Sequence, residues 1–217
     1  MSGIKYLCIQ NRLLMFNNFL ILFSIVLLPF TTAAQTTAKD YFISANQKNL
    51  AGDHIGAVED YTKSIALDPT RSQTYNNRGI AKNDMEDFQG AIEDYSKAIE
   101  LNPKFVEAYN NRGNVKDKLQ DFKGAIKDYT KAIEYDPNNT FAYYNRANSK
   151  HDLKKYADAI KDYTKSIALK PDYARAFFNR GGSRLMLNDK EGACSDFRKA
   201  EKLGYSKATE LIKKNCK

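Results

Sequence analysis

From residue 38 onward the chain is written in a helical period. Within residues 106–139, Phe122, Ala125, Ile126, Tyr129, Ala132 and Ile133 recur at i, i+3, i+4 and i+7, which places them on one apolar face of a helix. Ahead of them, Tyr109, Arg112, Gly113 and Lys116 fall at the same spacing and predict an earlier helix, whose glycine lets a neighbour approach closely. The polar stretch Lys118-Leu119-Gln120-Asp121 separates the two as a turn. Asp136-Pro137 ends the pair, because a residue preceding proline avoids the α region. No segment alternates with period two for long enough to predict a strand. The expectation is an all-α chain built from helix hairpins.

The hairpin repeats. Pro69, Pro103, Pro137 and Pro171 are each 34 residues apart, as are Ala57, Ala91, Ala125, Ala159 and Ala193, and Tyr61, Tyr95, Tyr129, Tyr163 and Phe197. Asn-Arg-Gly returns at 77–79, 111–113 and 179–181, with Asn145-Arg146-Ala147 between. Self-similarity at a fixed period of this length marks a solenoid, whose units bury their apolar faces only against one another. On these columns the chain resembles the tetratricopeptide repeat family. The shared pattern is an aromatic (Tyr75, Tyr109, Tyr143, Phe177), a small residue four positions on, an Ala and an aromatic in the second helix, and the closing Pro.

The resemblance covers residues 38–207 as five units, 38–71, 72–105, 106–139, 140–173 and 174–207, inside a repeat region of 35–207. It implies a right-handed superhelical solenoid that acts as a scaffold and not as a catalyst. The outer units depart most from the pattern. Ser44 and Ala45 stand for the Arg and Gly in the first, and Tyr205 for the Pro in the fifth. Residues 206–217 carry Ala208, Leu211 and Ile212 on one face and lysines on the other, which predicts a capping helix. In such stacks the cap packs on the fifth unit's second helix. Cys194 lies in that helix and Cys216 in the cap, so a disulfide between them is expected, with two separate buried thiols as the alternative.

Residues 1–34 differ in kind. Phe19–Phe30 is an unbroken, almost wholly apolar run of twelve residues; Lys5 and Arg12 precede it and Thr31-Thr32-Ala33-Ala34 follows. A basic start, a short apolar core and a small-residue exit predict an export signal cleaved after Ala34, and a periplasmic or secreted mature chain. The competing reading is an uncleaved membrane anchor over residues 13–34, against which Pro29 and the following polar residues shorten the span below the roughly 20 residues a bilayer needs. The ending of the chain resembles that of exported bacterial repeat proteins.

Charge changes this picture little. Lys5 and Arg12 supply two of the net +8, and the remaining +6 is spread over interleaved acids and bases. Binding of an anionic polymer, nucleic acid or acidic glycan, is therefore the alternative function and not the leading one, since such binders concentrate charge in a stripe or arm. No phosphate loop, nucleophile elbow or His-Glu-x-x-His occurs, and His54 and His151 stand apart with no Cys at ligand spacing. No metal, cofactor or enzymatic activity is expected.

Two polar columns remain. Arg78, Arg112, Arg146 and Arg180 each lie in an otherwise apolar column, and Asp60, Asp94, Asp128, Asp162 and Asp196 recur in step. A guanidinium matches a carboxylate bidentately, so these read as structural ion pairs between packed helices. Lys82, Lys116, Lys150 and Arg184 recur four residues later on the stacking side. Asn77, Asn111, Asn145 and Asn179 lie one residue further round, on the expected concave face, and Asn76, Asn110, Asn114 and Asn148 extend that surface, with Tyr144 as an aromatic addition. A carboxamide ladder suits the main chain of an extended peptide, and this one resembles the ladder in the repeat superhelix of O-linked N-acetylglucosamine transferase. The same residues would equally serve to solvate the wall or to bond neighbouring helices. The expected partner is a protein or peptide segment in the groove.

Overall fold

The computed structural model describes residues 36–216, and among them eleven helices and no strand. They run as five hairpins and a last single helix: α1 (Ala38–Leu50) with α2 (His54–Leu67), α3 (Ser72–Asp84) with α4 (Phe88–Leu101), α5 (Val106–Lys118) with α6 (Phe122–Tyr135), α7 (Thr140–Asp152) with α8 (Tyr156–Leu169), α9 (Ala174–Met186) with α10 (Lys190–Lys202), and α11 (Lys207–Asn215). Each helix packs on the one before and the one after it. The first helices of successive hairpins also touch (α1 with α3, then α5, α7 and α9 in turn), while the second helices splay apart. The first helices therefore line the inner side of a curved array.

Local sequence sets the hairpin ends. Asp53, Asp87, Asp121 and Asp189 cap α2, α4, α6 and α10, each carboxylate accepting from the main-chain N–H of a glycine three residues on, at 2.9–3.0 Å. Lys155 replaces that Asp before α8, which has no side-chain cap. The helices α2, α4, α6 and α8 stop at Asp68, Asn102, Asp136 and Lys170, each next to one of the four periodic prolines. Within each turn the chain passes once through the left-handed region. Gly52 does this without strain at φ 84°, whereas Glu86, Gln120, Lys154 and Asn188 do it with φ of 59–62°.

The core is a row of rings. Tyr61, Tyr95, Tyr129, Tyr163 and Phe197 are each at most 1% exposed, set among fully buried alanines of the 34-residue columns. In three units the periodic glycine makes room for this ring. A Cβ added at Gly113 would lie 2.7 Å from Tyr129, and one at Gly79 2.8 Å from Tyr95. Units one and four carry Ala45 and Ala147 there, both buried.

At the far end α11 buries Ala208, with Leu211, Ile212 and Cys216 against Ala193, Phe197 and Ala200. Cys194 and Cys216 are joined, 22 residues apart in sequence with Cα atoms 5.5 Å apart. The expected export signal over residues 1–34 lies outside the described residues, and so does the alternative anchor over 13–34. Among the described residues no helix is long and apolar enough to cross a membrane.

Candidate functional site

Each repeat from the second to the fifth is bound internally and to its predecessor by one guanidinium. Arg78, Arg112, Arg146 and Arg180 donate side-on through Nε and Nη2 to Asp94, Asp128, Asp162 and Asp196, at 2.7–3.0 Å. Nη1 of each reaches back to a hydroxyl of the preceding repeat's second helix, Thr62, Ser96, Thr130 or Thr164, at 2.9–3.1 Å. Lys82, Lys116, Lys150 and Arg184 join the same carboxylates at 2.7–2.9 Å. The aspartates are nearly buried, so each holds two cations in a medium where an unpaired charge is costly. The hydroxyl column escaped the sequence reading, and the second cation was noted there on the stacking side without its aspartate, although both recur at the 34-residue interval.

Asp60 departs from the expected pairing. Ser44 stands where the arginine would be and donates its hydroxyl to Asp60 at 2.7 Å, with Lys48 and Lys63 as the charged partners. Burial would raise its pKa, but hydrogen bonds from Lys48, Ser44 and Lys63 outweigh it and hold the carboxyl at about 2.

The asparagine columns do line the inner side, and most of their bonds run to neighbouring helices. Asn77 donates Nδ2 to Asn46, Asn111 to Asn76, Asn145 to Asn114 and Asn179 to Asn148, at 3.0–3.1 Å and always to the preceding repeat. Asn46, Asn114 and Asn148 also accept the hydroxyl protons of Tyr61, Tyr129 and Tyr163 at 2.6–2.7 Å. Asn76 is buried and donates to Asn77. Of the roles the sequence leaves open for these carboxamides, bonding between neighbouring helices is the one these contacts display. Asn76, Asn77, Asn111, Asn145 and Asn179 spend their Nδ2 donors in this way, while Oδ1 of Asn111 and Asn145 accepts no hydrogen bond among the described residues. Asn110 Oδ1 is buried without a partner because Asn145 bonds to Asn114 instead.

Tyr144 is likewise not an open aromatic patch. Its ring packs against Tyr173 at 4.8 Å and Tyr163 at 5.9 Å, and its hydroxyl accepts from Asn179. The groove aromatics are Phe105 and the exposed Phe141. With Ile80, Glu107 and the asparagines 76, 77, 110, 111, 114 and 145 they line a cleft of about 480 Å³ running from the second repeat to the fourth. A second hollow of about 450 Å³, between Ile80, Asn83, Tyr95, Asn111, Asn114, Val115 and Lys118, adjoins it through shared residues. A third of about 430 Å³ lies between Asn148, His151, Asp152, Tyr163 and Phe178, where His151 Nδ1 meets Ser183 Oγ at 2.8 Å.

Electrostatics on this face come from buried polar groups. Burial, then the carboxylates of Asp84 and Asp94, push the Tyr95 phenol far above its ordinary range, so it is a neutral donor. Asp117 is raised by burial, against hydrogen bonds from Ser149 and from Tyr129, whose one hydroxyl proton lies between it and Asn114, and it meets no cation among the described residues. Among the described residues no three His, Cys, Asp or Glu side chains gather so as to hold a metal ion.

The geometry defines a class: a helix-hairpin repeat scaffold with a concave, asparagine-rich face. The tetratricopeptide repeat family model matches residues 72–105, 106–139 and 140–173, the boundaries read from the proline register. Residues 72–173 are thereby tetratricopeptide repeats, and arrays of this family are non-catalytic scaffolds for protein interaction.

Solved structures agree on the fold. A MamA protein is 26% identical with a TM-score of 0.72, over 79% of this chain and 94% of that one. MamA from Desulfovibrio magneticus RS-1 is 21% identical with a TM-score of 0.73, over 78% and 96%. YrrB, described as a TPR protein with an unusual peptide-binding site, is 21% identical with a TM-score of 0.72, over 83% and 94%. A search of curated proteins gives no match.

Proposed function

We propose that the concave face holds an extended segment of a partner protein, gripped through its main-chain N–H groups. The observation that carries this reading is the 480 Å³ cleft, where Asn110 Oδ1 is buried without a donor. Oδ1 of Asn111 and Asn145 accepts nothing else among the described residues, and these oxygens follow one another at the repeat interval. An extended chain presents N–H donors along its length, and the Asn110 amide, held by no bond of its own, can turn its oxygen to meet one of them. The peptide-binding site ascribed to YrrB supports the use of such an array for this purpose at the level of fold. The anionic-polymer alternative draws less support, because the periodic arginines and lysines are spent on buried aspartates.

Asn110→Ala tests the reading cleanly, since Asn110 makes no side-chain bond whose loss would loosen the stack. Binding of the full chain to an array of random octapeptides should weaken while the unfolding midpoint stays in place. Unchanged binding by the variant, or binding that collapses with salt as counterion release demands, would sink it.

We also infer that the chain acts outside the cytoplasm. The basic, apolar and small-residue order of residues 1–34 supports this, as does a disulfide of a kind that persists in oxidising compartments. N-terminal sequencing of the protein from producing cells should begin at Gln35. A membrane-bound product that retains the apolar run would favour the anchor instead.

A further inference from the structure

A rung is missing from the asparagine ladder between the second and third repeats. At the other three junctions one carboxamide, Asn46, Asn114 or Asn148, accepts both from a tyrosine hydroxyl of its own repeat and from an asparagine of the next. In the second repeat that position is Ile80. Asn111 turns to Asn76 instead, and the hydroxyl of Tyr95, a residue 1% exposed, is left with no hydrogen bond among the described residues.

That hydroxyl faces the hollow of about 450 Å³ beside Ile80. The hollow offers a donor in Tyr95, an acceptor in Asn111 Oδ1, and apolar walls in Ile80 and Val115. A carboxylate guest would meet the Asn111 oxygen and the field of Asp84, and the nearest cation, Lys118, is already bound to Asn83 Oδ1 at 2.8 Å. An alkyl guest would leave the phenol unsatisfied. A carboxamide satisfies both ends, its carbonyl accepting from Tyr95 and its NH₂ donating to Asn111.

We propose that this hollow takes a carboxamide side chain, glutamine or asparagine, of the segment bound in the groove, standing where Asn46, Asn114 and Asn148 stand at the other junctions. The inference rests on the groove reading above and adds a specificity pocket to it. The guest's methylenes lie along Ile80 and Val115, and its amide closes the ladder that the chain leaves open.

The test selects random octapeptides displayed on phage against the full chain, then resynthesises binders with the enriched residue replaced by glutamate or methionine. Glutamine or asparagine should be enriched at one position, and either replacement should weaken binding about tenfold, as losing a buried hydrogen bond does. Tyr95→Phe should abolish the preference for glutamine over methionine while leaving selectivity at other positions intact. Ile80→Asn supplies the rung from within, so it should abolish the same preference without lowering the unfolding midpoint. Should Ile80→Asn fail to fold, Tyr95→Phe decides alone. Binders without a carboxamide position, or a preference that survives Tyr95→Phe, would overturn the pocket and leave the groove standing. No binders at all would remove both.

Discussion

Asp128 holds the middle of the array, and its removal is the sharpest test of how the repeats cohere. The residue is 2% exposed and accepts from Arg112 Nε at 3.0 Å, Arg112 Nη2 at 2.7 Å and Lys116 Nζ at 2.7 Å. Asp128→Ala strands both cations, whose side chains are only 18% and 19% exposed. Breaking a buried pair from one side costs about 3–5 kcal/mol, against a total stability of about 5–15 kcal/mol for a domain. The triple variant Arg112→Met, Lys116→Met, Asp128→Leu removes all three charges together and should cost less than about 1 kcal/mol, or stabilise, because no ion is left unpaired. Urea unfolding followed by far-ultraviolet circular dichroism measures both. A broadened or two-step transition for Asp128→Ala would locate the weakened junction, since each unit touches only its neighbours. The reasoning fails if Asp128→Ala costs less than about 1 kcal/mol, the range of exposed pairs. It also fails if the triple variant is as damaged as the single one.

Asp117→Asn should raise the melting temperature at pH 7: burial lifts the carboxyl above its ordinary pKa, so its ionised form costs stability at neutral pH and the gain shrinks as pH falls through that range. Scans of both proteins at pH 7 and pH 4 check the sign. The Asp60 carboxyl, held at about 2 against 3.8, runs the opposite way, contributing stability that is complete above about pH 4 and lost toward pH 2; Asp60→Asn should therefore flatten the acid limb of the stability curve. Gln120→Gly, at φ 61°, should stabilise by up to about 1 kcal/mol in urea, and no gain would mean the left-handed turn carries no strain. Reductant should lower the melting point of the intact chain, by an amount set by about 3 kcal/mol for a loop of this length, and leave Cys216→Ser unaffected.

The repeat boundaries were legible because each column states a packing need. Tyr129 must be buried, Gly113 must clear its ring, and Pro137 must end its helix, so three independent demands fall in one register. The Arg–Asp pairs were legible for the same reason. The asparagines were not, beyond the face they occupy. Helical period places Asn145 on the inner side, yet whether its amide meets a guest or Asn114 depends on how closely α5 and α7 approach, which no spacing within one repeat encodes. Tyr144 failed similarly, since the ring that covers it, Tyr173, comes from the turn between α8 and α9. The partner of Asp60 was obscured by Ser44, which removes the guanidinium and leaves the positive charge to Lys48, the counterpart of Lys82, and to Lys63.

The guanidinium that reaches back to a hydroxyl gives the array a direction, a plug on each first helix and a socket on the second helix before it. The first repeat has Ser44 in place of the plug, and the last has Arg198 where Thr62, Ser96, Thr130 and Thr164 supply sockets. Two copies laid end to end would bring a serine to an arginine in reversed roles, with the disulfide-tied α11 already lying over the exit. Evolution or a designer who duplicates an interior unit keeps every plug matched to a socket. Adding a unit beyond either end meets no counterpart, so the array is extensible from within and terminated at its edges.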